Sequence, residues 1–496
     1  MDTTQLPEKT RSNGKPAAYP VLRWLVLATF VVILNETVMV NAIPRLMVEF
    51  DVTARAAQWL STAFMLTMAV VIPVTGWFLQ RVRTRQAFTA AMVVFCAGTL
   101  LAASAPVFWV LVFGRVVQAV GTAVMLPLLM TTLMTIVPEH DRGRVMGNVT
   151  LAISVAPALG PAVAGLVLQV AGWRWLFLVV LPVAGAITLS GLRRIADVGE
   201  TRPCRLDATS VVLAGLGFGG LVYGLSQLGI ESPGGMSPWT WVVAGLAVVG
   251  AFILRQRFLQ RRVDGPLLDL RVLAHRTYSA AVAVQAGAFL AMLGSMILLP
   301  LYLQDVRGLT PLQTGLLVAP GGLAMGLLGP RVGRAFDRWG GRRLMVPGSV
   351  GVVLALVALS RVGVDTSFAL VVAAHLLLMV SLACIMTPSF TLGLGALPEQ
   401  LYSHGSSLLG TSQQVAAALG TAVSVTVLSS RAAELTQQGA GPAAAFVGGM
   451  HWAFGVAAII AVGAVALTLL LPSRLPEADA TPERDAQQNT PVPTPS

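Results

Sequence analysis

The stretch AQWLSTAFMLTMAVVIPVTGWFLQRVRTR, residues 57–85, decides what kind of protein this is. Residues 57–79 carry no ionisable side chain, and at ~1.5 Å rise per residue a helix of that length crosses the ~30 Å hydrocarbon core of a bilayer. Arg81, Arg83 and Arg85 follow at once. An apolar run that stops at a cluster of arginines reads as a span leaving the membrane at an anionic surface. Apolar runs of this kind recur along the chain. The expected spans are 21–44, 57–79, 87–105, 107–137, 145–170, 174–192, 208–230, 239–259, 278–303, 312–333, 344–362, 367–396, 404–429 and 447–471. Closed β-barrels need short segments of alternating polarity, which are absent. The expected fold class is therefore all-α integral membrane, with fourteen transmembrane helices.

Composition agrees. Of 496 residues, 55% are apolar and only 11% charged, against roughly a quarter charged in soluble domains, and the mean hydropathy is +0.76. The formal charge of +11 could suggest nucleic acid. The basic residues instead sit in short loops between apolar runs, so their expected partner is the lipid bilayer. With the N-terminus inside, 26 of the 33 lysines and arginines fall in cytoplasmic loops and adjoining helix ends. Arg45, Arg55, Arg174, Arg307, Arg361 and Arg431 fall outside, and Arg115 lies within a span. This asymmetry predicts cytoplasmic N- and C-termini in a bacterial inner (plasma) membrane. Cys96, Cys204 and Cys384 are too far apart to suggest a disulfide framework or a metal site. No nucleotide-cradling glycine loop with its lysine is present, so no enzyme and no cofactor is expected.

Basic stretches at 193–205 and 255–276 bracket the seventh and eighth spans. The expected domains are a cytoplasmic tail (1–20), an N-terminal six-helix bundle (21–196), two extra central helices (208–259), a C-terminal six-helix bundle (278–471) and a disordered cytoplasmic tail (472–496). One repeat makes the two bundles pseudo-symmetric. Gly76 to Arg85, with Gln80, Arg81 and Arg83 between, matches Gly333 to Arg343, with Asp337, Arg338, Gly340 and Arg342 between, each after the second span of its half. Glycine permits a tight helix end, and the charged groups can bind carboxylates or helix termini and lock one face.

Ionisable groups deep in a span are expensive, which makes them functional candidates. Glu36 in the first span and Arg115 in the fourth lie at one depth below the external surface, where they can pair. A proton or a cationic substrate arriving at the carboxylate would break that pair and so couple two events. A static structural pair is the competing reading. His375 enters the twelfth span to a similar depth and could relay protons or serve as a hydrogen-bonded structural residue. Asn35, Asn41 and Gln118 are candidate polar groups of a substrate cavity. In the fifth span Pro157, Gly160, Pro161 and Gly165 combine close approach with bendability, as a gate requires.

These motifs resemble the major facilitator superfamily, and within it the fourteen-span drug:proton antiporter branch of lincomycin-resistance and multidrug exporter type. Leu34-Asn-Glu-Thr37 through Asn41-Ala-Ile-Pro44 is similar to that branch's first-span signature. Arg115 to Gly121 resembles its proton-coupling arginine motif, Gly160 to Gly165 its antiporter motif, and the loops after Gly76 and Gly333 its gating motif. Asn35 stands where an aspartate is usual, Ala156 replaces a leading glycine, and Gln80 and Arg83 replace an aspartate and a glycine. The resemblance implies proton-coupled export of small amphipathic drugs or antibiotics by alternating access, from a monomer. Export of an endogenous metabolite or lipid is the alternative, and a non-transporting membrane sensor a more distant one.

Overall fold

The computed structural model describes residues 19–40, 42–199, 205–228, 236–261 and 265–474, and every regular element among them is helical. The first half holds α1 (Pro20–Val40), the short α2 (Ile43–Glu49), α3 (Ala54–Arg81), α4 (Thr84–Ala103), α5 (Phe108–Ile136), α6 (Arg142–Val170) and α7 (Trp175–Arg194). A pair follows, α8 (Ala208–Gln227) and α9 (Pro238–Leu259). The second half holds α10 (Arg276–Leu301), α11 (Pro311–Trp339), α12 (Arg342–Leu359), α13 (Phe368–Gly395), α14 (Tyr402–Gln437) and α15 (Pro442–Leu470). Fourteen of these are long and apolar enough to cross a membrane. Helices answer the central constraint of lipid, because each satisfies its own backbone polar groups. Trp109, Phe113, Leu216, Leu254, Ile459 and Leu470 are each more than half exposed, which suits a surface facing acyl chains.

Element ends differ from expectation in places. The first span stops at Val40, and the chain re-enters helix as α2, whose first turn contains Pro44; proline there leaves no helical hydrogen bond unmade. The span expected at 404–429 runs 402–437, because no glycine interrupts the turns beyond 429 until Gly439, at φ +90°. α6 starts at Arg142 and continues as one helix through Pro157 and Pro161. The expected tails lie mostly outside the described residues, as do Asn41 and Cys204.

An apolar cluster including Leu25, Phe88 and Leu129 fills the first half and runs on to Tyr278, Phe390 and Leu394 of the second, whose own cluster includes Leu356, Leu382 and Phe454. The halves meet along two seams, α6 against α11 and α3 against α14, with α8 lying across the second seam against both α3 and α14. The seams are related by the internal repeat. α6 is preceded by Pro138 and a 3₁₀ turn at Glu139–Asp141, and α14 by Pro398 and a turn at Glu399–Leu401. Counted from those prolines, Gly143 and Gly147 correspond to Ser403 and Ser407; in one seam Gly143 and Gly147 face Gly333 and Gly329, and in the other Ser407 faces both Gly76 and Ile72. A Cβ on Gly329 would lie 2.6 Å from the Gly147 carbonyl, so the first seam is backbone against backbone. In the second, the Ser407 hydroxyl donates to the Ile72 carbonyl.

Among the described residues, every hydrogen bond between the halves falls toward the face that carries the basic loops. Thr131 pairs with Ser406 at 2.8 Å, Thr387 with Thr150 at 3.0 Å, and Thr75 with Ser407 at 3.3 Å. Arg142 reaches the Tyr402 hydroxyl at 3.3 Å and Gln80 the Gln400 carbonyl at 3.2 Å. On the opposite face the bonds stay within a half, as in Arg174 to Glu49 (2.8 Å) and Arg307 to Tyr302 (3.0 Å). The molecule is thus latched on its basic face.

Candidate functional site

Arg115 sits in α5 with 1% of its surface exposed. Glycines place it there: a Cβ on Gly114 would meet the Ala102 backbone at 2.8 Å, and Gly98 and Gly121 likewise admit the facing helix, so α4 and α5 cross in close contact. The guanidinium donates to Gln118 Oε1 at 3.1 Å and lies 4.2 Å from the centre of the Phe64 ring. Gln118 in turn donates to the Thr99 hydroxyl at 2.8 Å. The buried Arg115 Nε has no partner. A buried cation so incompletely satisfied is held at a cost, which keeps Arg115 a functional candidate.

Glu36 lies on α1, partly buried, and each of Glu36 and Arg115 acts electrostatically on the other. They make no direct ion pair: Arg115 spends its contacts on Gln118 and Phe64. The carboxylate is therefore left without a direct partner while the arginine acts on it electrostatically. Asn35 is buried with its amide nitrogen unpartnered. Gln118 is fully buried and orients Arg115, so it does not line an open cavity as expected.

Helix α6 closes on this site. Gly160 packs directly on Thr37, next to Glu36, with no room for a side chain. Thr37 itself donates to the Leu34 carbonyl at 2.9 Å. Pro157 lies one turn from Gly160, whereas a Cβ on Gly165 would meet nothing within 4 Å. His375 is elsewhere. It is 2% exposed inside the second half, its ring against Gly321, among Leu299, Leu303, Leu317, Val318, Phe368, Val371 and Val372, all of that half, with no room for water beside it. It does not join Glu36 and Arg115.

The two repeated loops do different things. Asp337 accepts hydrogen bonds from the backbone N–H of Gly143 (2.8 Å) and Arg144 (2.7 Å), capping the N-terminus of α6 across the seam. A carboxylate at a helix N-terminus gains both the orphan donors and the dipole. Gly340 ends α11 at φ +82°, which a side chain would resist, and the Gly341 N–H donates to Ser473 (2.7 Å) just after α15. Arg338 lies over Trp339, and Arg342 opens α12. In the first loop Gln80 replaces that carboxylate, Arg81 lies over Trp77, and Arg85 is held by its backbone to Asp197 at 3.1 Å, away from the seam. No pattern in the sequence pointed to Phe64 and Thr99, whereas the matched Pro-Glu turns at 138 and 398 are visible in it.

The profile of the Major Facilitator Superfamily matches residues 25–421. The chain belongs to this superfamily. It is similar to the lincomycin resistance protein LmrB of Listeria innocua, 37% identical over 439 residues, 88% of this chain and 92% of that protein. A putative multidrug resistance protein, MdtD of Salmonella paratyphi A, is 33% identical over 435 residues, covering 85% and 87%. Among solved structures, the human organic anion transporter MFSD10 (TETRAN) superposes with a TM-score of 0.62 at 12% identity, over 90% of this chain and 100% of that one, a likeness of fold. This superfamily member is a multi-span membrane transporter of small molecules and not an enzyme.

Proposed function

We propose that the protein exports amphipathic drugs or antibiotics, of lincosamide type among them, in exchange for protons. The observation that carries this reading is the site itself: a carboxylate, Glu36, left without a direct partner beside a buried arginine, on the helix against which the Gly160 motif closes. Protonation of Glu36 removes the charge that Arg115 attracts, and that change is what can be coupled to movement of α1 against α6. Residues 21–196 and 278–471 rock as two bundles about the seams, with 208–259 riding on one of them. The basic-face latch is the state open to the outside, given cytoplasmic termini in the plasma membrane. Asn35, buried in this state with its amide nitrogen unpartnered, and Asn41 are the polar groups offered to cargo once α1 moves, and the working unit is the monomer.

The test is uptake of a lincosamide and of a lipophilic cationic dye into inside-out vesicles with an acid lumen. Accumulation that requires the pH gradient and is lost in Arg115→Ala supports the reading. Vesicles that accumulate neither compound, yet take up an endogenous lipid or metabolite under the same gradient, would replace the drug by that cargo.

A further inference from the structure

The seam between α3 and α14 holds a buried charge system that the proposed coupling site does not use. His404 is 4% exposed, and its Nδ1 has no hydrogen-bond partner. It stands where the halves touch: a Cβ on Gly76 of α3 would lie 3.0 Å from that nitrogen. In the internal repeat His404 occupies the place of Arg144, and Gln80 the place of Asp337, so this seam has lost the carboxylate that caps α6 in the other. A second carboxylate comes from elsewhere. The segment joining α9 to α10 carries Asp269, 2% exposed, which accepts from Arg271 (2.6–3.0 Å) and Gln260 (3.2 Å) and acts electrostatically on His404. That segment is fixed to the extra helix pair, since Gln256 of α9 accepts from the Leu268 N–H at 3.2 Å and donates to Ser210 of α8 at 2.7 Å.

We propose that His404 is a second proton-binding site, on the basic face, with Asp269 of the segment after the extra helices as its counter-ion. Closed, the seam keeps water from the ring, whose Nδ1 has no partner. When α3 and α14 part, water reaches the ring and a proton from that side binds, with Asp269 beside it. The charged groups acting on His404 are Asp269 and Arg271 from the joining segment. α3 faces it with Gly76, and α10 brings Tyr278, whose hydroxyl donates to the neighbouring Gly405 carbonyl. The open state binds one proton more than the closed one, so acidification shifts the balance toward opening, by at most tenfold per pH unit. The extra pair then has a task, which is to hold the counter-ion in place.

The inference rests on the alternating-access reading of the seams but not on Glu36. It is tested on the reconstituted full chain with Cys96, Cys204 and Cys384 changed to Ser and spin labels at Arg83→Cys and Gln400→Cys. Lowering the pH from about 8 to about 5.5 should raise the fraction with the longer distance in the parent and in Glu36→Gln. His404→Gln should flatten that response, and Asp269→Asn, which lies outside the spans, should move its midpoint to lower pH. A parent that does not respond to pH, or a His404→Gln protein that folds and responds as the parent does, overturns the proposal. So does a response abolished by Glu36→Gln.

Discussion

At the level of single residues, the proposed coupling site is a matter of what each side chain is left free to do. Arg115 is committed to Gln118 and Phe64, and Glu36 is not committed to Arg115. Gly160 matters because its neighbour Thr37 adjoins Glu36. A side chain at 160 has to displace Thr37, an overpacking that costs about 1–3 kcal/mol, whereas at Gly165 a Cβ meets open space. Gly160→Val is therefore expected to lose most transport and several degrees of melting temperature, with Gly165→Val close to the parent in both, as transport assays and thermal unfolding in detergent would record. Two glycines of one motif would thus separate. Glu36 and Arg115 were legible in the sequence because a charge inside a span is rare. Phe64 was not, since a phenylalanine in a membrane helix is unremarkable until a cation is found over its ring.

At the level of elements, the latch and the extra pair are the parts to disturb. Asp337 holds two backbone donors of α6. Asparagine keeps one acceptor and loses the charge, so Asp337→Asn should weaken the latch by about 1.5 kcal/mol, roughly tenfold in the closed-to-open ratio. Interspin distances across α6 and α11 would measure it, and an unchanged distribution would deny Asp337 that role. In the extra pair, Arg255 of α9 donates to Asp207 at 3.0 and 2.9 Å, and Ser210 also bonds it. These bonds hold the Asp207 carboxyl down at about 2, below its ordinary value near ~4. A depressed carboxylate contributes stability above its unfolded value and loses it as the pH falls from about 4 through about 2. Asp207→Asn should accordingly lower the melting temperature equally at pH 5.5 and pH 8. The second loop's role was readable from Gly333, Asp337 and Gly340. The departure at Gln80 was readable too, but not that Asp269 stands by the weakened seam, because a contact between a joining segment and a distant helix leaves no periodicity in the chain.

At the scale of the whole molecule, the fourteen helices followed from apolar length and arginine placement, which is why the fold class was legible in the sequence. The conformation was not, because both states of a two-seam molecule bury the same kinds of residue. The inter-half bonds lie on the basic face, and the proposed transport cycle requires that they part. The most direct test compares two assays on one preparation of proteoliposomes: accumulation of a lincosamide driven by a pH gradient, and exchange of labelled for unlabelled lincosamide without a gradient. If Glu36 carries the proton, Glu36→Gln loses the first and keeps the second. A Glu36→Gln protein that still accumulates the drug against its gradient contradicts the account.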